Sequence, residues 1–405
     1  MARILFFAFS GGGNLPPSLG IARELTAPGH EAVFAGDPEM MPRMKPTPFR
    51  AIELTQAYAQ LDKYPPGAPF GPWFCALSSP AVEAQVRSVI ESENPDFILT
   101  DFMFLAALNQ ALRFGQPTAA MAHMPFFRVA DAFRGLTKMC SDIRQQAGFA
   151  ALPAFDYLLF SCDRVIVTSL AAIDQALPTS ASIRNVRHVG PVLETEAHVR
   201  PLHLPWDAED SVPLILVSFS TDPVQASPDL IQRSLDALGR LDAHVVATVG
   251  TGIEARKLSA PANALIVQAA DHEPLMARAS LVVTHGGHGT TMRALKYGVP
   301  MMVIPGIAPD QAINGAMVEK LGAGRVLTQD ASSEAINALA RELLATAQFR
   351  AKAKEIAKLF SGIDGAVNAA DEVDALLARG GTAIAPKLQP AADCDTRVHN
   401  LDSTV

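Results

Sequence analysis

In LVVTHGGHGTTMRALKYGVPMMVIPGIAPDQ, residues 281–311, the hydrophobic period changes from strand to helix and back. Residues 281–284 are a short apolar run with two valines, the pattern of a strand buried on both faces. His285-Gly286-Gly287-His288-Gly289 ends that strand. From Thr290 to Lys296 the spacing is helical, with Met292 and Leu295 on one face. Gly298-Val299-Pro300 stops the helix, as a glycine followed by proline does. Residues 301–304 make the next strand, and Asp310-Gln311 follows it.

The turn at 285–289 has the chemistry of an anion site. The first backbone N–H groups of a helix lack intrahelical partners, and the helix dipole leaves partial positive charge there. Glycines allow a phosphate to approach that backbone closely. Thr290 and Thr291 can add hydroxyl donors, and His285 a ring N–H. No lysine follows the glycines, so the pattern is not GxxxxGK[ST]. Gly286, Gly287 and Gly289 also miss the GxGxxG spacing of dinucleotide sites. Glycines alone would suit any strand–helix turn with a core histidine. Their combination with His285, two threonines and Asp310-Gln311 favours phosphate.

Outward from this stretch the same alternation recurs. A strand is expected over 3–9, a turn at Ser10-Gly11-Gly12-Gly13, a helix over 17–25 and a second strand over 31–35. That opening predicts an α/β chain with parallel, doubly wound sheets. Residues 36–72 are Pro- and Met-rich and read as loops and short helices. A helix over 82–91 and strands over 96–100, 118–122, 164–168 and 187–189 complete the first half, with 124–150 a mixed, mobile-looking stretch. The second half reads as strands over 214–218, 244–248, 265–268 and 325–327, with helices over 229–238, 333–345, 349–360 and 366–377. A linker is expected over 196–213, where prolines and acids lack periodicity. Residues 379–405 have no apolar face and read as a disordered tail.

Composition narrows the function. At 405 residues two domains are the default, here 1–195 and 214–365. Hydrophobic content of 49% fills two interiors. No apolar run approaches the roughly 20 residues of a membrane span, and the N-terminus lacks a signal-peptide pattern. A cytoplasmic protein is therefore expected. A net charge of −8 argues against a nucleic-acid partner. Cys75, Cys140, Cys162 and Cys394 are scattered, with neither zinc-ribbon nor disulfide-framework spacing.

Residues 285–311 resemble the donor-binding signature of the family 1 glycosyltransferases, nucleotide-sugar enzymes of GT-B fold. That signature runs His, small residue, Gly, polar residues, helix, Gly-Val-Pro, strand, Asp-Gln. Asn314 and Glu319-Lys320-Leu321-Gly322-Ala323-Gly324 continue it. The likeness is greatest to bacterial members that glycosylate macrolides and other lipophilic natural products. It implies two Rossmann-like domains facing across a cleft, the second holding a UDP- or TDP-sugar and the first the acceptor. A last helix, 366–378, would cross back onto the first domain.

The resemblance carries donor contacts onto His285, Gly287, Gly289, Thr290 and Thr291 for the diphosphate, and onto Asp310 and Gln311 for sugar hydroxyls. Asp310 could instead serve as a helix N-cap. Ser220 and Thr221 match a loop that can reach the phosphates. Ala270 and His272 lie where the base is held, and Ala269 stands where many members place a stacking Trp. Arg293 stands where many place a ribose-binding Glu. An arginine cannot accept from ribose hydroxyls, and would serve a phosphate or face solvent.

On the acceptor side the family's loop histidine is replaced by Asn14, whose amide has no useful basicity. Asp101 matches the partner aspartate and ranks first as the base, directly or through water. His123, at the end of a neighbouring strand, is a second candidate, although a core role suits it as well. An acidic acceptor needing little help is a third explanation. Phe102, Phe126, Phe127 and Trp73 are candidates for an apolar acceptor pocket, with Phe74 and Phe104 beside them. The expected activity is inverting transfer of a hexose or deoxyhexose to a hydroxyl of a lipophilic small molecule, by a monomer or homodimer. No cofactor or metal is implied beyond the nucleotide-sugar co-substrate. Two rivals keep the fold: a degenerate or auxiliary binding protein, and a sugar-nucleotide epimerase, whose acids cannot be identified.

Overall fold

The computed structural model describes residues 1–57, 59, 76–174, 185–194, 202–207, 210–219, 227–250 and 252–379. Trp73, Phe74, Ser220, Thr221, much of the expected linker and the tail from 380 onward lie outside these residues.

Two sheets organise the described residues. The first holds β1 Arg3–Phe7, β2 Glu31–Gly36, β3 Arg50–Glu53, β4 Phe97–Asp101, β5 Thr118–Ala122, β6 Arg164–Val167 and β7 Val186–His188, in the order β3-β2-β1-β4-β5-β6-β7. The second holds β8 Leu214–Ser218, β9 His244–Thr248, β10 Ala264–Val267, β11 Ala279–Thr284, β12 Met301–Val303 and β13 Gly324–Val326, in the order β10-β9-β8-β11-β12-β13. Every pairing is parallel. Parallel strands covered by helices on both faces need apolar residues at consecutive positions. β4, β5, β6 and β8 meet that need, being buried along their whole length.

Three stretches depart from the sequence reading. β3 falls in 36–72, where loops and short helices were expected. Its Arg50-Ala-Ile-Glu53 is a short edge strand with charged ends, and edge strands carry little hydrophobic signal. The stretch 124–150 is largely two helices, Phe126–Arg134 and Thr137–Gln146. A third, Phe155–Phe160, follows them. Phe102 is fully buried, edge-on to Phe133 at 4.9 Å and Phe155 at 6.5 Å. Packing across the sheet, which no local period reports, fixes these helices.

Several contacts join the two units. The last helix, Gly365–Ala378, lays Ala369, Ala370, Val373 and Leu376 in the core that also holds Leu15, Leu19 and Leu25 of the helix Leu15–Thr26. Arg164 pairs with its Glu372 at 2.8 Å. Leu170 and Ile173 of the first half join the core of the second. Among the described residues no helix is long and apolar enough to cross a membrane.

Candidate active site

In each sheet the strand order reverses once, between β1 and β4 in the first and between β8 and β11 in the second. Open α/β sheets bind ligands beyond the carboxyl ends of strands at such a point. Asn14 and Asp101 follow β1 and end β4, and His285 follows β11.

The second reversal is built around glycines. Gly286 has φ +86, a backbone that favours glycine, and a Cβ there would lie 2.7 Å from the Gln311 carbonyl. Its own carbonyl accepts from Asn314 Nδ2 at 2.8 Å, which ties the turn to the helix Pro309–Lys320. Gly287 is extended, and its constraint is space: a Cβ would meet His285 Nε2 at 2.5 Å. The imidazole therefore lies across the Gly287 backbone.

Gly287 is the N-cap of the helix His288–Lys296, and no side chain caps it. The Thr291 N–H already donates to the Gly287 carbonyl at 3.0 Å. The N–H groups of His288, Gly289 and Thr290 come before that first bond and have no intrahelical acceptor. Open space fronts Gly289, where an added Cβ would touch nothing within 4 Å. His285 Nδ1 and Thr291 Oγ1 are buried without a hydrogen-bond partner. Loss of solvent pulls the His285 ring down to about 4, opposed by a hydrogen bond that the ring donates to the Ser218 backbone. It is therefore neutral at ordinary pH. The Thr291 hydroxyl and the free N–H groups of the first turn cost free energy that an anion would recover.

Asp310 occupies the second position of its helix, behind Ala308 as N-cap, so the N-cap alternative does not hold. Burial raises its carboxyl to about 6, opposed by hydrogen bonds from its own backbone and that of Gln311. Gln311 is buried, and its Oε1 accepts from the Gly306 N–H at 2.7 Å. His272 meets Thr248 Oγ1 at 3.0 Å and is drawn down to about 4 by burial, with Arg293 acting in the same sense. Ala270 is buried, and Ala269 is exposed. Arg293 does not face solvent: it is buried and donates to the Leu193 carbonyl at 3.1 Å, across the boundary between the units.

The first reversal is closed on itself. Asp101 is 1% exposed; its Oδ2 accepts from Asn14 Nδ2 at 3.1 Å and its Oδ1 from the Met103 N–H at 2.9 Å. Burial pushes its carboxyl up to about 7, against those two hydrogen bonds. Phe102 has no exposed surface to offer a ligand, so its place in an acceptor pocket gives way to a place in the core. Phe104 is likewise fully buried. Phe126, 4% exposed, belongs to the same core, so its place in an acceptor pocket also gives way, while Phe127 is only partly buried and lies 5.8 Å from the His188 ring. Asp174 holds their helix, accepting from the Phe127 N–H at 2.9 Å and the Arg128 N–H at 3.2 Å.

The two reversals meet through side chains of which the sequence singled out His123 alone. His288 Nε2 donates to the Thr168 carbonyl at 2.7 Å, across 120 residues of chain. Its ring lies edge-to-face on His123, centroids 4.7 Å apart. Thr168 Oγ1 in turn meets His123 Nδ1 at 2.8 Å. Ile313, three residues beyond Asp310, packs on the core of the first unit. The available signal was the second histidine of His285-Gly286-Gly287-His288, which no anion-site argument required.

Two parallel α/β units, each with a loop cluster at its reversal point and the clusters facing one another, are the GT-B arrangement. A family model described as erythromycin biosynthesis protein CIII-like, C-terminal domain, matches residues 232–361. NDP-glycosyltransferase YjiC of Bacillus licheniformis is 24% identical over 396 residues, covering 93% of this chain and 98% of that protein. The structure of CalG4, the calicheamicin glycosyltransferase, superposes with TM-score 0.75 at 21% identity, covering 95% of this chain and 100% of that one. That of glycosyltransferase VinC in complex with dTDP gives 0.70 at 20% identity, covering 93% and 100%. The chain has the GT-B fold, and over nearly its whole length it is similar to glycosyltransferases.

Proposed function

We propose that the protein is an inverting enzyme that moves a hexose or deoxyhexose from a UDP- or TDP-sugar to a hydroxyl of a lipophilic natural product. The observation that carries this reading is the uncapped N-terminus of the helix His288–Lys296 with His285 Nδ1 orphaned beside it. Oriented N–H groups and a neutral imidazole stabilise negative charge where a departing diphosphate develops it. They do so without reorganisation and without a metal ion. Asp310 and Gln311, one helix further on, are placed to select sugar hydroxyls.

Natural products as acceptors follow from what the relatives act on, and dTDP bound to VinC favours a thymidine-linked donor. With the nucleotide on the second unit and the acceptor on the first, in-line attack opposite the leaving diphosphate would invert the anomeric centre. A second reading, a binding protein without efficient transfer, rests on Asn14 in the place of a loop histidine. Release of UDP or TDP, assayed with both donor classes against a macrolide and a phenol, separates the two. Acceptor-dependent release supports transfer, and nucleotide binding with no release under any pairing supports the binder.

A further inference from the structure

We propose that His123 is the proton acceptor of the transfer and that the second unit holds it in place through His288. The proposal rests on the glycosyl-transfer reading above. His123 follows β5, the neighbour of β4, so it stands beside Asp101 at the carboxyl edge of the sheet. Thr168 Oγ1 donates to the Ala122 carbonyl at 3.5 Å, and its oxygen then accepts from His123 Nδ1 at 2.8 Å. That arrangement puts the ring proton on Nδ1 and the lone pair on Nε2. Nε2 faces the loop after β1, where a Cβ on Gly13 would lie 3.9 Å from it.

The alternatives at the same edge are occupied. Asn14 has no basic atom, and both Asp101 oxygens accept hydrogen bonds from within the protein. His123 also stands one ring away from the donor helix. His288, the first residue of that helix, covers its face and bonds the backbone of the same Thr168 whose hydroxyl holds His123. One threonine thus fixes both the base and the near edge of the diphosphate site. Arg293, on the same helix, and Asp174, on the first-unit side, are the charged groups that act on this pair. Burial first, then His288 and Arg293, hold His123 well below 6.5, so it is neutral and able to accept.

In the step itself the acceptor oxygen forms its bond to the anomeric carbon. The anomeric carbon–oxygen bond to the diphosphate breaks, and its electron pair leaves with the nucleoside diphosphate. The hydroxyl proton passes to His123 Nε2, and the imidazolium then releases it to water. His123 is the catalytic group, and His288 is a positioning residue.

The test compares wild type, His123→Gln, Asp101→Asn and His288→Phe with an alcohol acceptor and with a nitrophenol ionised at the assay pH. His123→Gln is expected to bind UDP or TDP as wild type does, and to lose roughly 10²–10⁴ in kcat on the alcohol. It should lose far less on the nitrophenol, which needs no base and shows that the variant is folded. Wild-type kcat/KM should hold level from pH 8 to below 6.5. His288→Phe keeps a ring but removes the lowering influence on His123, so the acid limb should move up. A merely packing role would leave that limb in place. The proposal is overturned if His123→Gln stays within about threefold of wild type on the alcohol. It is equally overturned by an acid limb near pH 7 that Asp101→Asn abolishes. Wild type that transfers nothing from either donor sinks the parent reading and this one with it. Wild type that transfers while His123→Gln is unaffected removes the base alone.

Discussion

The reversal between β1 and β4 and the reversal between β8 and β11 occupy the same place in two similar sheets, yet their polar groups are in opposite states. At the first, the Asp101 carboxylate has donors on both oxygens and 1% of its surface exposed. At the second, an uncapped helix, His285 Nδ1 and Thr291 Oγ1 have none. Internal satisfaction marks a group that shapes the protein, and an orphaned donor beside open space marks one that waits for a ligand. Matching topology therefore does not imply matching roles. On the proposed reading, the donor contacts belong to the second reversal, and the working group of the first half lies one strand over, at His123.

The contrast can be broken most forcefully at His285. His285→Ala removes one of the oriented donors, and transfer should fall by roughly 10²–10³ in kcat or kcat/KM. Acceptor binding, followed by titration with the unreactive aglycone, should not change. A next, smaller effect is expected at Asn314, whose amide holds the Gly286 carbonyl. Asn314→Ala leaves that buried carbonyl unpaired, at a cost of about 1–3 kcal/mol in unfolding free energy. It also loosens the turn, so steady-state kinetics should show donor KM rising more than kcat falls.

The last effect concerns the first reversal and stability alone. Asp101 titrates at about 7 in the folded chain and near 3.9 when unfolded, so between those values the native state binds more protons. Its contribution is full below pH 4 and is lost as pH rises toward 7. Asp101→Asn should flatten that part of the stability curve in chemical denaturation, while Glu83, also raised to about 7 by burial, keeps its own share. An unchanged slope would mean that Asp101 is charged in the fold.

Much of this was legible because it is local. The strand-to-helix switch at 281–296, the proline stop and the Asp310-Gln311 pair are read from spacing alone, and the structure places them side by side. Phe102 was misplaced because an aromatic after a strand end looks the same whether it points to a cleft or to a core. Its partners Phe133 and Phe155 are fixed only when the helices 126–134 and 155–160 pack. The first of these helices did carry a signal: Phe126, Val129 and Phe133 stand at i, i+3 and i+7 and are all buried, a period the sequence reading passed over. His288 was invisible for a different reason: its partner lies 120 residues away in the other unit, and a contact made by domain docking leaves no trace in spacing.

The most direct measurement is the structure of the protein with UDP or TDP bound. The diphosphate should sit against the N-terminus of the helix His288–Lys296, with its oxygens within hydrogen-bond reach of the Gly289 and Thr290 N–H groups and beside the His285 ring. A nucleotide seated elsewhere, with that helix end and imidazole still unpartnered, would contradict the account.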